Sequence, residues 1–278
     1  MKIAVLGSGG WGTALAMLLE ENGHQVTLWS YLEQESKQLQ VTGENPLLPG
    51  VQLPAGLSYT WDLDCVVGSD VVVMATPSFG VRSTAEQIAG RLSPGTVLVS
   101  VSKGIEKGTF LRMSQIIREA TGDRFPVVTL SGPSHAEEVG RGLPTGCVAA
   151  CRDADAARFA QDAFMNDYFR VYTSGDIVGV ELAAALKNVI ALSAGVCDGM
   201  GFGDNTAAML ITRGLAEMSR MVVAAGGEAL TCMGLGGAGD MVVTCMSQHS
   251  RNRRFGEQYV ARGLTLDDFT AQTHMVVE

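Results

Sequence analysis

The sequence predicts an α/β chain: a mostly parallel sheet domain over 1–174, followed by an all-helical domain over 175–278. Three observations carry that expectation. Short β-branched runs alternate with helical patterns through the first part of the chain, and a glycine-rich turn joins the first run to the first helical pattern. After about Tyr172 the strand runs cease, and long Ala-, Gly- and Met-rich helical patterns replace them. Alternation of strand and helix implies right-handed crossovers and parallel pairing.

The strand runs lie at 2–6, 25–29, 70–75, 96–101 and 126–131. Each is nearly continuous in apolar residues, as expected of strands covered on both faces. Helical patterns fall near 11–22, 80–90 and 109–119 in the first domain, and at 177–198 and 205–225 in the second. The stretch 43–58 holds Pro46, Pro49, Pro54 and three glycines, so it reads as loop. A last helical pattern begins at Leu266 and runs to Glu278 without a cap.

Length and composition narrow the function classes. At 278 residues, against a prior of about 150 per domain, two domains are expected. The chain is 46% hydrophobic and 18% charged, which excludes a disordered polymer. Its formal net charge of −9 argues against a nucleic-acid binder, which needs a basic face. Six cysteines, at 65, 147, 151, 197, 232 and 245, form no C-x-x-C pair and read as reduced core thiols of a cytoplasmic protein, not as a metal site. The apolar run after Met1 and Lys2 is broken by glycines and lacks a cleavage site, so it is not read as a signal peptide. Residues 177–197 are long enough to span a bilayer, but Glu181 and Lys187 within them each cost about 2.5–3.5 kcal/mol near a membrane centre. A buried helix is the expected alternative, and no transmembrane segment is predicted.

Gly7, Gly9 and Gly12 form a G-x-G-x-x-G in GSGGWG, between the strand 2–6 and a helical pattern carrying Ala14, Leu15, Leu18 and Leu19. That is the setting of a Rossmann-type dinucleotide site. Gly7 permits the tight turn, Gly9 the approach of a pyrophosphate, and Gly12 the close packing of helix on strand. The phosphates would rest at the helix N-terminus. After the second strand stand Ser30, Tyr31, Leu32 and Glu33. Neither an acid at the strand end nor an arginine is there, so the residues leave NAD and NADP both open. Glu33 reads as a solvated helix residue.

Two lysines stand out. Lys103 follows the strand 96–101, at the carboxyl end where open parallel sheets bind ligands; an ordinary loop lysine is the equal alternative. Lys187 shares a helical face with Val180, Ala184, Ala191 and Ala194, a stripe of small side chains around one ammonium. Partial desolvation would lower its pKa and suit it to proton exchange. Downstream, a second glycine-rich loop from Gly234 to Gly239 ends in Asp240, and Ser250, Arg251, Asn252, Arg253 and Arg254 follow. Their donors suit a phosphate, although a solvated charged face would look the same.

These segments together resemble bacterial-type NAD(P)-dependent sn-glycerol-3-phosphate dehydrogenases. The matching stretches are GSGGWGTALA (7–16), SKGIEKGT (102–109), LSGPSHAEEV (130–139) and ELAAALKNVIALSAG (181–195), then GFGDNTAAMLITRGLAEM (201–218), GLGGAGDMVVTC (234–245) and SRNRRFG (250–256). The resemblance implies reversible reduction of dihydroxyacetone phosphate by a nicotinamide cofactor, with the product feeding glycerophospholipid synthesis. It implies Lys187 as the proton donor, Lys103 as a second active-site lysine touching substrate and cofactor, and Asp240 and Thr244 as polar groups around the reacting oxygen. It implies Ser250, Arg251 and Asn252 at the substrate phosphate, Gly132 and Ser134 as further substrate contacts, and Ala136 and Glu278 on the cofactor side. Gly10, Trp11, Tyr31 and Arg251 join the glycines as implied cofactor contacts. No metal is implied; a small phosphate substrate and a homodimer are.

The chain departs from the family pattern at four places. Gly10 stands where a serine is common, and Tyr31 and Leu32 where a basic residue is common. Ala183 and Ala184 replace expected glycines, and the family pattern runs some tens of residues past Glu278. Two other readings remain at this stage: a related reductase of another small acid, such as a ketopantoate-type enzyme, and a nicotinamide-binding sensor without turnover.

Overall fold

A computed structural model of the chain describes residues 1–273 and 277. Contacts divide it into two compact units: 1–130 with 134–177, and 131–133 with 178–278.

In the first unit the chain runs β1 (Lys2–Leu6), α1 (Gly10–Glu21), β2 (Gln25–Trp29), α2 (Glu33–Thr42), β3 (Ser58–Thr60), β4 (Val71–Met74), α3 (Val81–Ile88) and β5 (Val97–Ser100). It continues through α4 (Met113–Thr121), β6 (Val127–Ser131), a single turn α5 (Ala136–Val139), β7 (Thr145–Ala150), α6 (Ala154–Phe164) and β8 (Phe169–Ser174). The eight strands lie in the order β3-β2-β1-β4-β5-β6-β7-β8. β1 pairs in parallel with both β2 and β4, so the strand order reverses direction around it. That reversal opens a crevice at the carboxyl end of β1, where the glycine turn follows.

The apolar runs are continuous because both faces are covered. Ile3 and Val5 pack with Ala14, Leu15 and Leu18 of α1 and with Ala157, Ala160 and Phe164 of α6. Ala4 and Leu6, pointing the other way, pack with Val81, Ala85 and Ile88 of α3 and with Met113, Ile116 and Ile117 of α4. Each such leucine or isoleucine contributes about 1.5–3 kcal/mol when fully buried.

The structure corrects the expected helix at 109–119, since α4 begins only at Met113. Positive φ at Gly104, Gly108 and Phe110 keeps 104–112 out of helical conformation, and an Ile105–Arg112 bridge closes it as a loop. The structure also adds α2, β3, β7, α6 and β8 to the elements read from sequence. β7 and β8 lie at the end of the sheet order, and β8 alternates buried and exposed residues, a weaker pattern than a buried central run.

The second unit is helical: α7 (Ile177–Gly199), α8 (Asp204–Ala224), a 3₁₀ turn (Ala229–Met233), a π turn (Leu235–Gly239), α9 (Asp240–Met246), α10 (Arg251–Arg262) and α11 (Leu266–Thr273). Its core joins Ala183, Ala191 and Ala194 of α7 to Met218 and Val222 of α8 and to Met241 and Cys245 of α9. Helix α7 is long and apolar enough to cross a membrane, yet 61% of its most apolar window is buried inside the protein.

Helices α7 and α10 cross with their backbones in contact. A Cβ on Gly195 would lie 1.9 Å from the Arg253 carbonyl oxygen, and one on Gly256 would lie 2.2 Å from that of Leu192. No side-chain rotamer relieves a clash with backbone, so both positions demand glycine. Gly195→Ala should therefore lower the urea unfolding midpoint, by the equivalent of about 1–3 kcal/mol. Gly203→Ala, where a Cβ meets nothing within 4 Å, should leave the midpoint near wild type.

Candidate active site

Lys187 is 6% exposed and cannot snorkel to water from the middle of α7. Its ammonium donates to Asp240 Oδ1 at 2.5 Å and to Thr244 Oγ1 at 2.7 Å. Asp240 and Thr244 stand one turn apart on α9, and the Thr244 hydroxyl donates back to the Asp240 carbonyl oxygen. Asp240 is itself 1% exposed, so the ammonium and the carboxylate are buried against each other.

Asp240 reaches Lys187 because of the glycine-rich stretch before it. Residues 235–239 form a π turn, and a Cβ on Gly237 would lie 2.2 Å from the Cys232 carbonyl oxygen. The second glycine loop is thus a tight reversal that delivers a carboxylate. Cys245 lies beside this group, where burial pushes its thiol up to about 11, outweighing the pull of Lys187 and Arg253. It remains a neutral packing residue.

The three arginines of the basic cluster have different surroundings. Arg253 is buried and donates to Asp198 at 2.6 Å, with Glu257 at 3.6 Å, which ties α10 to the end of α7. Arg251 is exposed and Arg254 half-buried. Ser250 caps α10, accepting from the Arg253 amide at 3.3 Å, and Asn252 is buried in the first turn. Ser250, Arg251 and Asn252 therefore stand together at a helix N-terminus, where N–H groups and the dipole favour an anion. Sequence reading passed over Arg253 as a structural tie and over Asn188, buried one residue after Lys187. For Asn188 the early signal was a polar residue on an apolar helix; Arg253 lies in a polar helix among other arginines, which masked it.

In the sheet unit the glycine turn has the shape of a dinucleotide cradle. Gly7 has φ +126°, and a Cβ there would lie 2.6 Å from the Ala75 carbonyl oxygen; a Cβ on Gly12 would lie 1.9 Å from that of Gly7. A Cβ on Gly9 meets nothing within 4 Å, and Gly9 caps α1 without a side-chain hydrogen bond. Open space at a helix N-terminus with bare backbone fits a pyrophosphate. Gly10 is constrained as well: a Cβ would lie 2.5 Å from the Leu47 carbonyl oxygen, so a serine there would force the loop to move. That loop is tied down by Asn45, which donates to the Ser8 carbonyl oxygen at 2.9 Å and to Thr13 Oγ1 at 2.7 Å. Asn45 was not legible as a site residue within a proline-rich loop.

The remaining expectations fall into place individually. Trp11 packs half-buried against the sheet core. Tyr31 is 79% exposed and edge-on to Trp29, and Glu33 opens α2, paired with Lys37 at 2.8 Å. Lys103 is half-buried in the loop after β5, and Ala136 opens α5. Gly132 is buried with φ +158°, and Ser134 is half-buried two residues on. Glu278 lies outside the described residues. Among the described residues no group of three His, Cys, Asp or Glu side chains could hold a metal ion.

Breaking a buried pair by removing one partner costs about 3–5 kcal/mol. Asp240→Asn should lower the urea midpoint accordingly, and adding Lys187→Met should recover most of the loss. A midpoint for Asp240→Asn equal to wild type would contradict the buried pair.

Comparison with known proteins gives one consistent result. Residues 2–157 match the model of the NAD-dependent glycerol-3-phosphate dehydrogenase N-terminus, and residues 176–278 match that of its C-terminus. The chain is 51% identical to the glycerol-3-phosphate dehydrogenase (NAD(P)+) of Moorella thermoacetica, over all of this chain and 82% of the relative. It is 47% identical to that of Fusobacterium nucleatum, over all of this chain and 84% of the relative. The crystal structure of glycerol-3-phosphate dehydrogenase from Coxiella burnetii superposes with a TM-score of 0.94 at 35% identity, covering 99% of this chain and 84% of that one.

Proposed function

The chain belongs to the NAD-dependent glycerol-3-phosphate dehydrogenase family, and from that premise we infer how its own residues divide the work. It reduces dihydroxyacetone phosphate reversibly to sn-glycerol 3-phosphate, the backbone of glycerophospholipids, with NAD or NADP as cofactor. When bound, the nicotinamide supplies the hydride.

The observation that carries the residue assignments is the buried Lys187–Asp240–Thr244 group. Lys187 is the proton donor to the carbonyl oxygen as its carbon accepts hydride, and the base that removes the hydroxyl proton in the reverse direction. Asp240 keeps the ammonium charged and aimed, and Thr244 fixes the second N–H. The charged amine also stabilises the alkoxide that develops in the transition state. Ser250, Arg251 and Asn252 hold the substrate phosphate, turning binding at the non-reacting end into orientation of the carbonyl. Lys103 touches substrate and cofactor, with Gly132 and Ser134 as further substrate contacts.

The cofactor pyrophosphate is assigned to the backbone of Gly7, Gly9, Gly10 and Gly12 at the start of α1. Trp11, Tyr31, Ala136, Arg251 and Glu278 complete the proposed cofactor contacts. The residues past β2 support no choice between NAD and NADP. We assign dinucleotide binding to 1–174 and substrate binding to 175–278.

We also propose a cytoplasmic setting and a homodimer. The six unbridged cysteines support a reducing compartment. Sedimentation velocity should show one species of two chains, and a monomer at micromolar concentration would overturn the dimer.

Lys187→Ala should lower kcat for dihydroxyacetone phosphate reduction by at least about 10²-fold. Dinucleotide binding, read by quenching of tryptophan fluorescence, should stay near wild type. Retained turnover would remove Lys187 from proton transfer.

A further inference from the structure

The loop between β5 and α4 presents Lys103, and contacts with no part in the assignments above hold it on both sides. Just before Lys103, Ser102 Oγ donates to the Thr76 carbonyl oxygen at 2.5 Å. Just after it, Gly104 has φ +153°, and a Cβ there would lie 2.9 Å from Ser78 Cβ. The chain therefore turns hard against the segment following β4, where no side chain fits.

Beyond that turn the loop closes on Glu106. The Glu106 amide donates to the Leu111 carbonyl oxygen at 2.9 Å, and the Phe110 amide donates to that of Glu106 at 3.0 Å. The Glu106 carboxylate meets the Arg82 guanidinium of α3 as a fork, Nε to Oε1 at 2.7 Å and Nη2 to Oε2 at 2.8 Å. Thr109 donates to the same carboxylate, and Arg82 Nη1 reaches Glu119 of α4 at 3.2 Å. The guanidinium holds the Glu106 carboxyl down at about 2, so the pair is charged at neutral pH.

We propose that the Arg82–Glu106 pair is a positioning device for Lys103, locking the loop so that the lysine is presented in one place. The inference rests on the assignment of Lys103 to the reaction. Two parallel hydrogen bonds fix direction as well as distance, which a lysine in place of Arg82 could not do. Misplacing an active-site group by about 1 Å can cost about 10²-fold in rate. A loop with three positive-φ residues within seven positions has no regular hydrogen-bond ladder to hold it, so side-chain anchoring decides its shape.

The test is a double-mutant cycle on kcat/KM for dihydroxyacetone phosphate, using Lys103→Met, Arg82→Met and both together. Each single change should lower kcat/KM about tenfold or more, and the double should be no worse than Lys103→Met alone, because Arg82 acts through Lys103. Losses that multiply in the double, or an Arg82→Met variant with wild-type efficiency, would overturn the positioning role. Wild-type efficiency for Lys103→Met would instead overturn the assignment of Lys103 itself. Amide hydrogen exchange gives a readout without substrate: peptides spanning 104–111 should exchange at least about tenfold faster in Arg82→Met, with α1 unchanged. Unchanged exchange in the loop counts against the proposal. Arg82→Lys keeps the charge without the fork, and should fall short of wild type in kcat/KM while keeping its urea midpoint. Glu106→Gln, nearly isosteric, takes the place of Arg82→Met in the cycle if the latter fails to fold.

Discussion

A single buried ammonium governs the design of the helical unit. Lys187 sits in the middle of a 23-residue apolar helix and is almost entirely shielded from water. An ammonium in such a place is tolerated only with a carboxylate beside it and its remaining hydrogens directed to oxygen. Asp240 and Thr244 meet that requirement from one helix, and much of the local architecture exists to bring that helix there. The π turn of 235–239 reverses the chain tightly enough to set Asp240 in the first turn of α9. Small residues along α7 leave room for the amine and for the close passage of its neighbours. The same contacts that make the lysine tolerable also fix where its ammonium lies.

The sheet unit poses a different problem, since its glycine turn leaves backbone bare at the start of α1. Its constraint is room. At Gly7 and Gly12 a methyl group would strike carbonyl oxygens, and at Gly9 the space is open. The first two set the turn and the last leaves it accessible. Asn45 closes the arrangement by holding the Ser8 carbonyl from the loop after α2. That loop also explains the glycine at position 10: the Leu47 carbonyl occupies the space a serine side chain would need.

The basic cluster shows how identical side chains acquire different roles. Arg251, Arg253 and Arg254 are indistinguishable as composition. Burial of Arg253 against Asp198 makes it a tie between α7 and α10, while Arg251 stays exposed at the helix start. Arg82 belongs to the same class of structural cation. It lies on α3, outside every motif, and is joined to the lysine loop through a glutamate 24 residues away.

The sequence alone determined the alternating architecture, the glycine turn and the helical second half. Those features rest on local pattern: continuous apolar runs, a three-glycine spacing and the 3.6-residue period. It also marked Lys187, because a charge amid small apolar residues is anomalous wherever the helix packs. Tertiary structure decided the rest. The partner of Lys187 lies 53 residues away and that of Arg253 lies 55 residues back, at separations over which no periodicity operates. The start of α4 depended on positive φ at Gly104, Gly108 and Phe110, the last of which no propensity announces. Strand pattern faded in β8, where one face is exposed, and the reading of Gly10 required a carbonyl brought by a distant loop. Local chemistry specified which groups the protein has, and packing specified which of them meet.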